Sequence, residues 1–502
     1  MTDVITAINN VVWSPALVYL CLAVGVFFTI RTRLVQLRQI PQMVRQTFTG
    51  EKSADGVSSF QALTMSLSGR VGTGNIAGVA TAIAFGGPGA VFWMWTVAFL
   101  GASTSFVEST LGQIYKERDR DTGEYRGGPA YYLAKAFRHT GASGLFKVYA
   151  SVFAFVSVLA LTLFMPGVQA NGMSSAIANA WGVEPWVTGV GIVIVLGFII
   201  IGGVKRIATF AAVVVPFMAI LYILAAIVIA IMNAHMLGEV LHLIFSSAFG
   251  LHATFGAIIG SAVEWGVKRG IYSNEAGQGT GPHSAAAAEV SHPAKQGLVQ
   301  AGAIYIDTLF VCSATAFMIL STGMYRVFSG GTEDGAVLHE GGRLPSDVAV
   351  GPGFAQAGFD TLLPGLGASF IAISLAFFAF TTIVAYYYMA ETNLKFLLSR
   401  VRHAGVRVAA LRVLQAAMLV ACVFGATTTA SEAWLLGDIG VGLMAWLNII
   451  AILILQQPAI KALRDFERQR KEGRDPRFDP DALGIRGAEY WSARAASARV
   501  GS

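Results

Sequence analysis

The sequence predicts an all-α polytopic membrane protein with about eleven transmembrane helices. Of its 502 residues, 55% are hydrophobic and only 13% are charged, whereas soluble domains carry about 25% charged residues. Apolar runs such as 185–203 and 210–232 approach or reach the roughly 20 residues that cross a bilayer. The three cysteines lie in apolar runs without metal or disulfide spacing, and we expect them to be small core residues. These observations exclude the ordinary soluble classes of protein.

Apolar runs between polar breaks define the candidate spans, which are 11–30, 62–84, 88–113, 145–180, 185–204, 207–233, 254–290, 297–323, 364–394, 408–427 and 432–456. The connections after odd-numbered spans, with the C-terminal stretch, hold 30 of the 35 lysines and arginines. The positive-inside rule then predicts an N-terminus outside and a C-terminus in the cytoplasm. The net charge of +6 is therefore a topology signal and indicates no nucleic-acid partner.

Both ends of the chain carry further predictions. The first ten residues hold Asp3 and no basic residue, so no cleavable signal peptide is expected and the first span stays as a helix. The stretch 461–502 mixes basic and acidic residues with proline and glycine. It predicts a solvated cytoplasmic tail with some affinity for anionic membrane lipid, and the alternative is a dedicated interaction module.

Two of the spans contain glycine-dense interruptions. The segments 68–75 and 274–282 each include Gly-Thr-Gly, at 72–74 and 279–281. Glycine costs about 1 kcal/mol per residue inside a helix, so several together favour unwinding. Unwound backbone at membrane depth is tolerated where it is buried in protein or lines a cavity. The alternative interpretation is close helix packing through small residues.

The two interrupted spans run in opposite directions, and each is followed by four more spans. This order predicts one N-terminal helix plus a five-plus-five inverted repeat with two broken helices. The predicted units are 1–55 (N-terminal helix and connection), 56–240 (first repeat), 241–457 (second repeat) and 458–502 (cytoplasmic tail). Matched broken helices in inverted halves indicate the binding site of a secondary transporter.

An unwound turn offers backbone N–H groups to a carboxylate and C=O groups to a cation or ammonium. Such a site suits a small zwitterion, with Thr73, Thr280, Asn75 and Gln278 adding uncharged polar groups. No Walker motif and no catalytic grouping is present, so neither nucleotide binding nor a membrane enzyme is indicated.

A coupling ion such as sodium needs several oxygen ligands. The adjacent hydroxyls of Thr381 and Thr382, in the ninth span, are predicted to complete a site begun by carbonyls near Ser68 and Val71. The alternative for both threonines is a hydrogen bond back to the preceding helical turn.

Several ionisable residues also lie inside the predicted spans, where they indicate either function or ion pairing. They are Glu108, Glu264, Asp307, Glu391 and Asp438, with Arg70, Lys268 and Arg269 as available partners. We expect structural or gating ion pairs rather than direct coupling. For His283, the sequence predicts an ordinary hydrogen-bonded histidine rather than a metal ligand.

Long segments resemble the alanine or glycine:cation symporter family, over about residues 10–457. They are 68–78 (SGRVGTGNIAG), 86–95 (GGPGAVFWMW), 127–132 (GGPAYY), 269–277 (RGIYSNEAG), 292–297 (HPAKQG) and 306–309 (IDTL). The resemblance implies bacterial or archaeal inner-membrane carriers of the leucine-transporter-type fold. Such carriers take up small neutral amino acids with sodium or sometimes protons, and they use no organic cofactor.

The resemblance also implies roles for individual residues. The substrate would meet Gly72, Thr73, Gly74 and Asn75 on one side, Gly277, Gln278, Gly279 and Thr280 on the other, and Gln169 between them. Sodium would be held by the carbonyls of Ser68 and Val71 with Thr381 and Thr382.

The sequence departs from the usual family pattern at Gln278, where methionine is common, at Tyr386, where tryptophan is common, and at 165–167 (MPG). A more polar pocket would follow, which admits glutamine or serine beside alanine and glycine. The leading hypothesis is thus a sodium-coupled symporter of small neutral amino acids that works by alternating access. A proton-coupled transporter or exchanger and an amino-acid-binding membrane sensor remain alternatives, and the oligomeric state stays open.

Overall fold

The computed structural model describes residues 2–48, 56–119, 122–200, 203–252, 254–341, 344–361 and 363–500. The predicted boundary at residue 55 and residues 201–202 of the predicted span 185–204 lie outside these ranges. The α-helices are α1 (Thr2–Val12), α2 (Pro15–Arg31), α3 (Val35–Arg38), α4 (Ile40–Phe48), α5 (Ser59–Arg70), α6 (Val79–Gly86), α7 (Gly89–Ile114), α8 (Pro129–Ala136), α9 (Ser143–Leu159), α10 (Met165–Trp181), α11 (Pro185–Ile200), α12 (Gly203–Met232), α13 (Leu237–Ala248), α14 (Ile259–Asn274), α15 (Gly281–Ala287), α16 (Pro293–Ile304), α17 (Ser313–Thr322), α18 (Pro352–Asp360), α19 (Gly367–Leu397), α20 (Ala404–Thr427), α21 (Ala430–Lys471) and α22 (Glu489–Val500).

The remaining regular structure is short. Two antiparallel hairpins pair β1 (Glu117–Arg118) with β2 (Tyr125–Arg126) and β3 (Arg326–Phe328) with β4 (Val337–Glu340). Two 3₁₀ turns cover Ala234–Met236 and Gly256–Ile258, and three π-helical segments cover Gly74–Gly78, Ala160–Phe164 and Tyr305–Cys312. Since π segments inside helices frequently occur at functional sites, these three positions are candidates for the functional site.

The predicted spans coincide with helices. Eight helical stretches in the described part of the chain are long and apolar enough to cross a membrane: Val4–Arg31, Gly89–Ile114, Ser143–Trp181, Arg206–Met232, Pro293–Thr322, Gly367–Leu397, Ala404–Thr427 and Ala430–Lys471. Two shorter apolar helices are Gly74–Gly86 and Pro185–Ile200. Large apolar side chains such as Phe198 and Phe217 are exposed on α11 and α12, as expected of a surface that faces lipid.

Both predicted interruptions are present. The first interrupted helix, α5, begins at a capping box formed by Ser58 and Gln61 and ends at Arg70. Val71 and Gly72 are non-helical, and the first π segment follows them. The second, α14, ends at Asn274, and six non-helical residues precede α15. We call these non-helical stretches the first break and the second break.

Glycine is required in the second break for a conformational reason. Gly277 and Gly279 have φ angles of 82° and 88°, in a region where a side chain clashes with the backbone. Glu275, with φ 59°, is one of three non-glycine residues with a positive φ in the described chain. The second break, which glycine density predicted, is therefore unwound by residues with left-handed backbone conformation.

Helices at corresponding places in the two predicted repeats pack in a reciprocal way. α7 packs on α16, α10 on α19 and α11 on α20, while α12 contacts α19 as α21 contacts α10. A two-fold axis between the repeats predicts this pattern, so it supports the division into repeats.

The two ends of the bundle differ in what they carry. At one end α6 finishes beside the start of α14, and Phe85 packs against Phe328 of β3 with ring centroids 6.2 Å apart. We call this the hairpin end. The opposite end, where α5 begins and α15 finishes, carries the C-terminal residues and is called the tail end.

The C-terminal residues are not a solvated tail. α21 continues well past the predicted end at residue 456, to Lys471, and Phe478, Ile485 and Trp491 beyond it are buried. The expectation was wrong because these apolar residues are too sparse in sequence to indicate a core. Their apolar partners lie on the tail end, far away along the chain.

Candidate functional site

Helix α10 bridges the two breaks. Gln169 Oε1 accepts a hydrogen bond at 2.9 Å from the backbone N–H of Thr73, which directly follows the first break. One turn earlier, the sulfur of Met165 lies 3.7 Å from Gln278 Nε2, in the second break. Residues four apart share one helix face, so a single face of α10 contacts both breaks. The fold therefore brings the predicted pocket residues Gln169 and Gln278 to the same face of α10.

In the first break, backbone donors are already engaged by side chains. The N–H of Gly72 donates to Asn75 Oδ1 at 2.8 Å, and the N–H of Thr73 donates to Gln169 as described. Gly74 lies close to Tyr272, because a Cβ there would be 3.2 Å from the tyrosine ring. All these residues are buried, so the break is enclosed by protein.

Asn75 connects the first break to Asp307, a residue of the third π segment. Its Nδ2 donates to Asp307 Oδ1 at 2.7 Å. The other carboxylate oxygen accepts from Ser273 Oγ at 2.9 Å and from Thr308 Oγ1 at 2.7 Å. Since Ser273 is in α14, one carboxylate links both broken helices, and its direct hydrogen-bond donors are neutral.

The second break is anchored on the side of α7 and α21. The N–H of Gly277 lies 3.3 Å from Glu108 Oε1, and its carbonyl accepts from Asn448 Nδ2 at 2.9 Å. Asn448 also donates to the second oxygen of Glu108 at 2.7 Å. A Cβ at Gly279 would meet Asn448 at 3.0 Å. The polar backbone groups of Gly277 thus hold the break in place.

Thr280 closes the second break on itself. Its hydroxyl donates to Glu275 Oε2 at 2.8 Å. His283, the third residue of α15, is hydrogen-bonded to the carbonyl of Thr280 at 3.1 Å and to the side chain of Asn393 at 2.9 Å. The expectation of an ordinary hydrogen-bonded histidine is confirmed.

Arg70, the last residue of α5, is buried among carboxylates. Its charge acts on Glu275, Glu108 and Asp307. The guanidinium donates to the carbonyl of Gln300 at 3.2 Å. Sequence reasoning named Arg70 as an available partner for buried carboxylates, and the structure places three of them within its electrostatic influence.

Thr382 faces the first break at the predicted sodium position. Its hydroxyl lies 3.3 Å from the carbonyl oxygen of Val71 and 2.9 Å from that of Phe378. Hydroxyl and carbonyl oxygens suit a hard monovalent cation. The bond to Phe378 is also the back-bonding alternative, so both interpretations of Thr382 describe the same geometry. Phe378 is a candidate ligand that the sequence did not reveal.

The other predicted sodium ligands contribute less directly. Thr381 Oγ1 donates to the carbonyl of Phe378 at 3.0 Å and lies 3.8 Å from the sulfur of Met218. The hydroxyl of Ser68 bonds to its own preceding turn, at Met65 O, at 2.7 Å, and the predicted role of the Ser68 carbonyl stays a prediction. Thr382 and Val71 are therefore the pair that the fold brings into direct contact.

Several buried polar atoms in and beside the breaks have no hydrogen-bond partner among the described residues. They include Thr73 Oγ1, Gln278 Oε1, Glu275 Oε1 and Asn274 Nδ2. A buried polar group left unpaired costs about 1–3 kcal/mol. Tyr386, whose tyrosine in place of tryptophan led to the prediction of a more polar pocket, is buried in α19. These atoms provide donors and acceptors for a polar ligand.

An ion-pair cluster lies between the breaks and the hairpin end. Arg269 pairs with Asp438 through two contacts of 2.8 and 3.1 Å, and Lys268 Nζ lies 2.8 Å from the same carboxylate. The guanidinium of Arg269 stacks on Trp434 at 4.0 Å from the ring centroid. Glu264 lies in α14, within the predicted span, and its side chain is exposed.

A second cluster lies between the breaks and the tail end. Arg126 contacts Asp119, Glu124 and Glu391 at 2.9, 3.1 and 3.1 Å. Lys395 joins the cluster with a 3.1 Å contact to Glu391. The breaks therefore lie between two ion-pair clusters, one toward each end of the bundle.

The sequence of this chain matches known transporters throughout its length. The sequence model of the sodium:alanine symporter family matches residues 1–480. YrbD of Bacillus subtilis is 56% identical over 492 residues, covering 98% of each chain. The sodium/proton-dependent alanine carrier protein of Bacillus sp. PS3 is 51% identical over 449 residues, covering 89% of this chain and 97% of that protein. The probable sodium/glutamine symporter GlnT of Bacillus subtilis is 39% identical over 486 residues, covering 96% of this chain and 94% of that protein.

The family match accounts for the helical membrane fold and for the absence of catalytic groupings in the sequence. With a whole-length family match and relatives above 50% identity, the chain is a membrane transporter and belongs to the sodium:alanine symporter family.

Proposed function

We propose that the protein imports small neutral amino acids together with sodium, by alternating access. The observation that carries this proposal is the pairing of Thr382 with Val71 at the first break, beside backbone N–H groups that suit a carboxylate. A cation at Thr382 and a carboxylate at Thr73 would stabilise the same non-helical turn. Each ligand then raises the affinity for the other, because coupling between sites is reciprocal.

The position of Gln169 supports a binding mode for the substrate carboxylate. Its amide oxygen lies 2.9 Å from the N–H of Thr73, where a carboxylate oxygen would lie if it accepted the same hydrogen bond. An incoming substrate would displace this amide and take over the N–H. The freed Gln169 side chain then becomes a further polar contact for the substrate.

The unpaired oxygen of Gln278 supports a substrate with a polar side chain. This buried acceptor has no partner among the described residues, and the relative GlnT is named as a glutamine symporter. We propose alanine and glycine as substrates, with serine and glutamine admitted by the donor groups that they offer to Gln278.

The positions of the two ion-pair clusters suit gates that close the two ends of the bundle in turn during this cycle. Opening toward the hairpin end would separate Asp438 from Arg269, and opening toward the tail end would separate Glu391 from Arg126. We place the protein in a bacterial or archaeal plasma membrane, with the N-terminus and hairpin end outside and the tail end in the cytoplasm. The distribution of basic residues supports this orientation.

The test is uptake by purified protein in proteoliposomes, with sodium and proton gradients imposed separately. We expect a sodium gradient to drive accumulation of alanine and glycine, and excess glutamine or serine to compete. Accumulation that ignores the sodium gradient contradicts sodium coupling. Binding without accumulation would indicate an amino-acid sensor instead.

Proton coupling is a second candidate, favoured by one observation. Asp307 is completely buried, and its direct hydrogen-bond donors are neutral groups of Asn75, Ser273 and Thr308. A carboxylate in such a place can bind and release a proton, and the name of the PS3 relative includes proton dependence. Asp307→Asn keeps the shape of the side chain and removes its titration. If protons drive transport through Asp307, this variant loses uptake driven by a proton gradient and keeps sodium-driven uptake.

A further inference from the structure

The C-terminal residues fold back on the tail end of the bundle. Trp491 is 1% exposed, and its indole N–H donates to the carbonyl of Gln113 in α7 at 2.8 Å. Phe478 packs edge-on against Trp491, with ring centroids 5.3 Å apart. The family match ends at residue 480, so Trp491 and the whole of α22 lie beyond it.

The surface that these residues cover is the connection between α15 and α16, residues 288–292. The guanidinium of Arg494 donates to the carbonyl of Val290 at 2.8 Å. The N–H of Phe478 donates to the carbonyl of Ser291 at 3.1 Å. Lys295, just inside α16, forms a 2.8 Å ion pair with Asp475. The tail therefore binds the segment into which the second broken helix leads.

The same segment joins the two half-helices of the tail end. Val57, just before α5, forms a bridge with the residues after α15: its N–H donates to Ala287 O at 3.1 Å, and its carbonyl accepts from Glu289 N at 3.0 Å. Lys116 donates to Ala288 O at 2.7 Å, and its ammonium lies 4.8 Å from the ring centroid of Tyr490. Hence α5, α15 and the tail meet in one contact region.

We propose that residues 472–500 are a latch that holds the tail end closed, so that opening toward this end requires the tail to detach. This inference rests on the alternating-access function proposed above. α5 and α15 are the half-helices that lie between the breaks and the tail end. A path from the breaks to this end can open only if at least one of them moves. That movement displaces residues 288–292 and breaks the contacts of Trp491, Arg494 and Phe478.

The first experiment joins the latch by a reversible cross-link to the segment that it covers, residues 288–292. Ser291 Oγ lies 3.4 Å from Asp475 Oδ2, so cysteines in both places are within reach of a short bifunctional methanethiosulfonate. We expect cross-linked Ser291→Cys/Asp475→Cys protein to lose at least tenfold in the rate of sodium-driven alanine uptake, with recovery after reduction. The three native cysteines are buried, and each single-cysteine variant serves as a control. Unchanged uptake by fully cross-linked protein overturns the proposal.

The second experiment weakens the latch. Ser284→Cys reports on the tail end, because Ser284 is buried in α15. Trp491→Ala should raise the rate at which a hydrophilic maleimide labels Ser284→Cys by at least tenfold. Ser497→Ala is the matched control, since Ser497 lies exposed in the same helix and bonds only to its own turn, at Ala493. Equal labelling rates with and without Trp491 contradict a latch.

A third cysteine separates release of the latch from loss of the fold. Ala262 is buried in α14 toward the hairpin end, and Ala262→Cys should not label faster in the Trp491→Ala protein. Faster labelling at both ends would mean general unfolding and would overturn the proposal. The labelling experiments do not depend on transport. If wild-type protein takes up no amino acid, the proposed function is refuted, and the labelling rates still decide whether the latch exists.

Discussion

The contact between Gly72 and its neighbours gives the sharpest test of the site. A Cβ at position 72 would lie 2.5 Å from Thr382 Oγ1 and 2.7 Å from Gln169 Oε1. Both distances are shorter than the 3.0 Å below which real Cβ contacts essentially do not occur. Both oxygens also carry hydrogen bonds, to Val71 and Thr73. Gly72→Ala therefore displaces both Thr382, the proposed sodium ligand, and Gln169, the proposed substrate contact.

The size of the effect follows from these contacts. Extra atoms in a close-packed core cost about 1–3 kcal/mol, and each neutral hydrogen bond that is weakened contributes about 0.5–1.5 kcal/mol. Taking about 2 kcal/mol as the loss of binding free energy, and about 1.4 kcal/mol per tenfold, we expect the sodium half-saturation concentration to rise about 30-fold. The half-saturation for alanine should rise with it.

The assay is initial uptake in proteoliposomes over a series of sodium concentrations at fixed alanine. Gly191→Ala is the control: it adds the same methyl group to a membrane helix where no atom lies within 4 Å of the new Cβ. Gly191→Ala should transport like wild type. If folded Gly72→Ala protein keeps the wild-type half-saturation for sodium, the first break is not the shared site of cation and substrate.

Four further substitutions test other parts of the molecule. Thr382→Val keeps the shape of the side chain and removes the hydroxyl, so the sodium half-saturation should rise about tenfold, while Thr381→Val, whose hydroxyl faces a sulfur, should change it less. Asp438→Asn leaves two buried basic residues with a weakened partner, which typically costs about 3–5 kcal/mol and should lower the thermal unfolding midpoint. Gln278→Met removes an unpaired buried oxygen, so glutamine should compete less well with alanine uptake and the protein should unfold at a higher temperature.

Each of these expectations has a contrary outcome. Equal sodium dependence in the two threonine variants would exclude Thr382 as the principal ligand. An unchanged unfolding midpoint in Asp438→Asn would mean that the ion-pair cluster contributes little to the fold. Undiminished competition by glutamine in Gln278→Met would remove the argument for a polar subsite.

The positions of the helices and of the breaks were predictable because local physics decides them. Apolar runs of sufficient length form helices in a bilayer, and glycine-dense turns unwind them. The break after Arg70 and the break before Gly281 occur where glycine density predicted them. Residues near the first break, such as Thr73 and Asn75, follow from the same reasoning.

The partners across the site were not predictable from one sequence. Asn75 meets Asp307, 232 positions away, and Gly277 meets Asn448, 171 positions away. No local pattern encodes such pairs, because a hydrogen bond depends on where two helices cross and not on their spacing in the chain. The Phe378 carbonyl beside Thr382 was missed for a related reason, since a backbone oxygen leaves no mark in the sequence.

The sequence by itself determined that this chain is a bundle of membrane helices with two breaks, and its charge distribution predicted the orientation. These properties depend on composition and on the local free-energy cost of helical conformation, and both can be read from the sequence alone. Only the tertiary structure decided that one face of α10 contacts both breaks, that Asp307 joins the two broken helices, and that the C-terminal residues fold onto the tail end. Those features depend on contacts between distant residues, whose free energy exists only once the helices have packed.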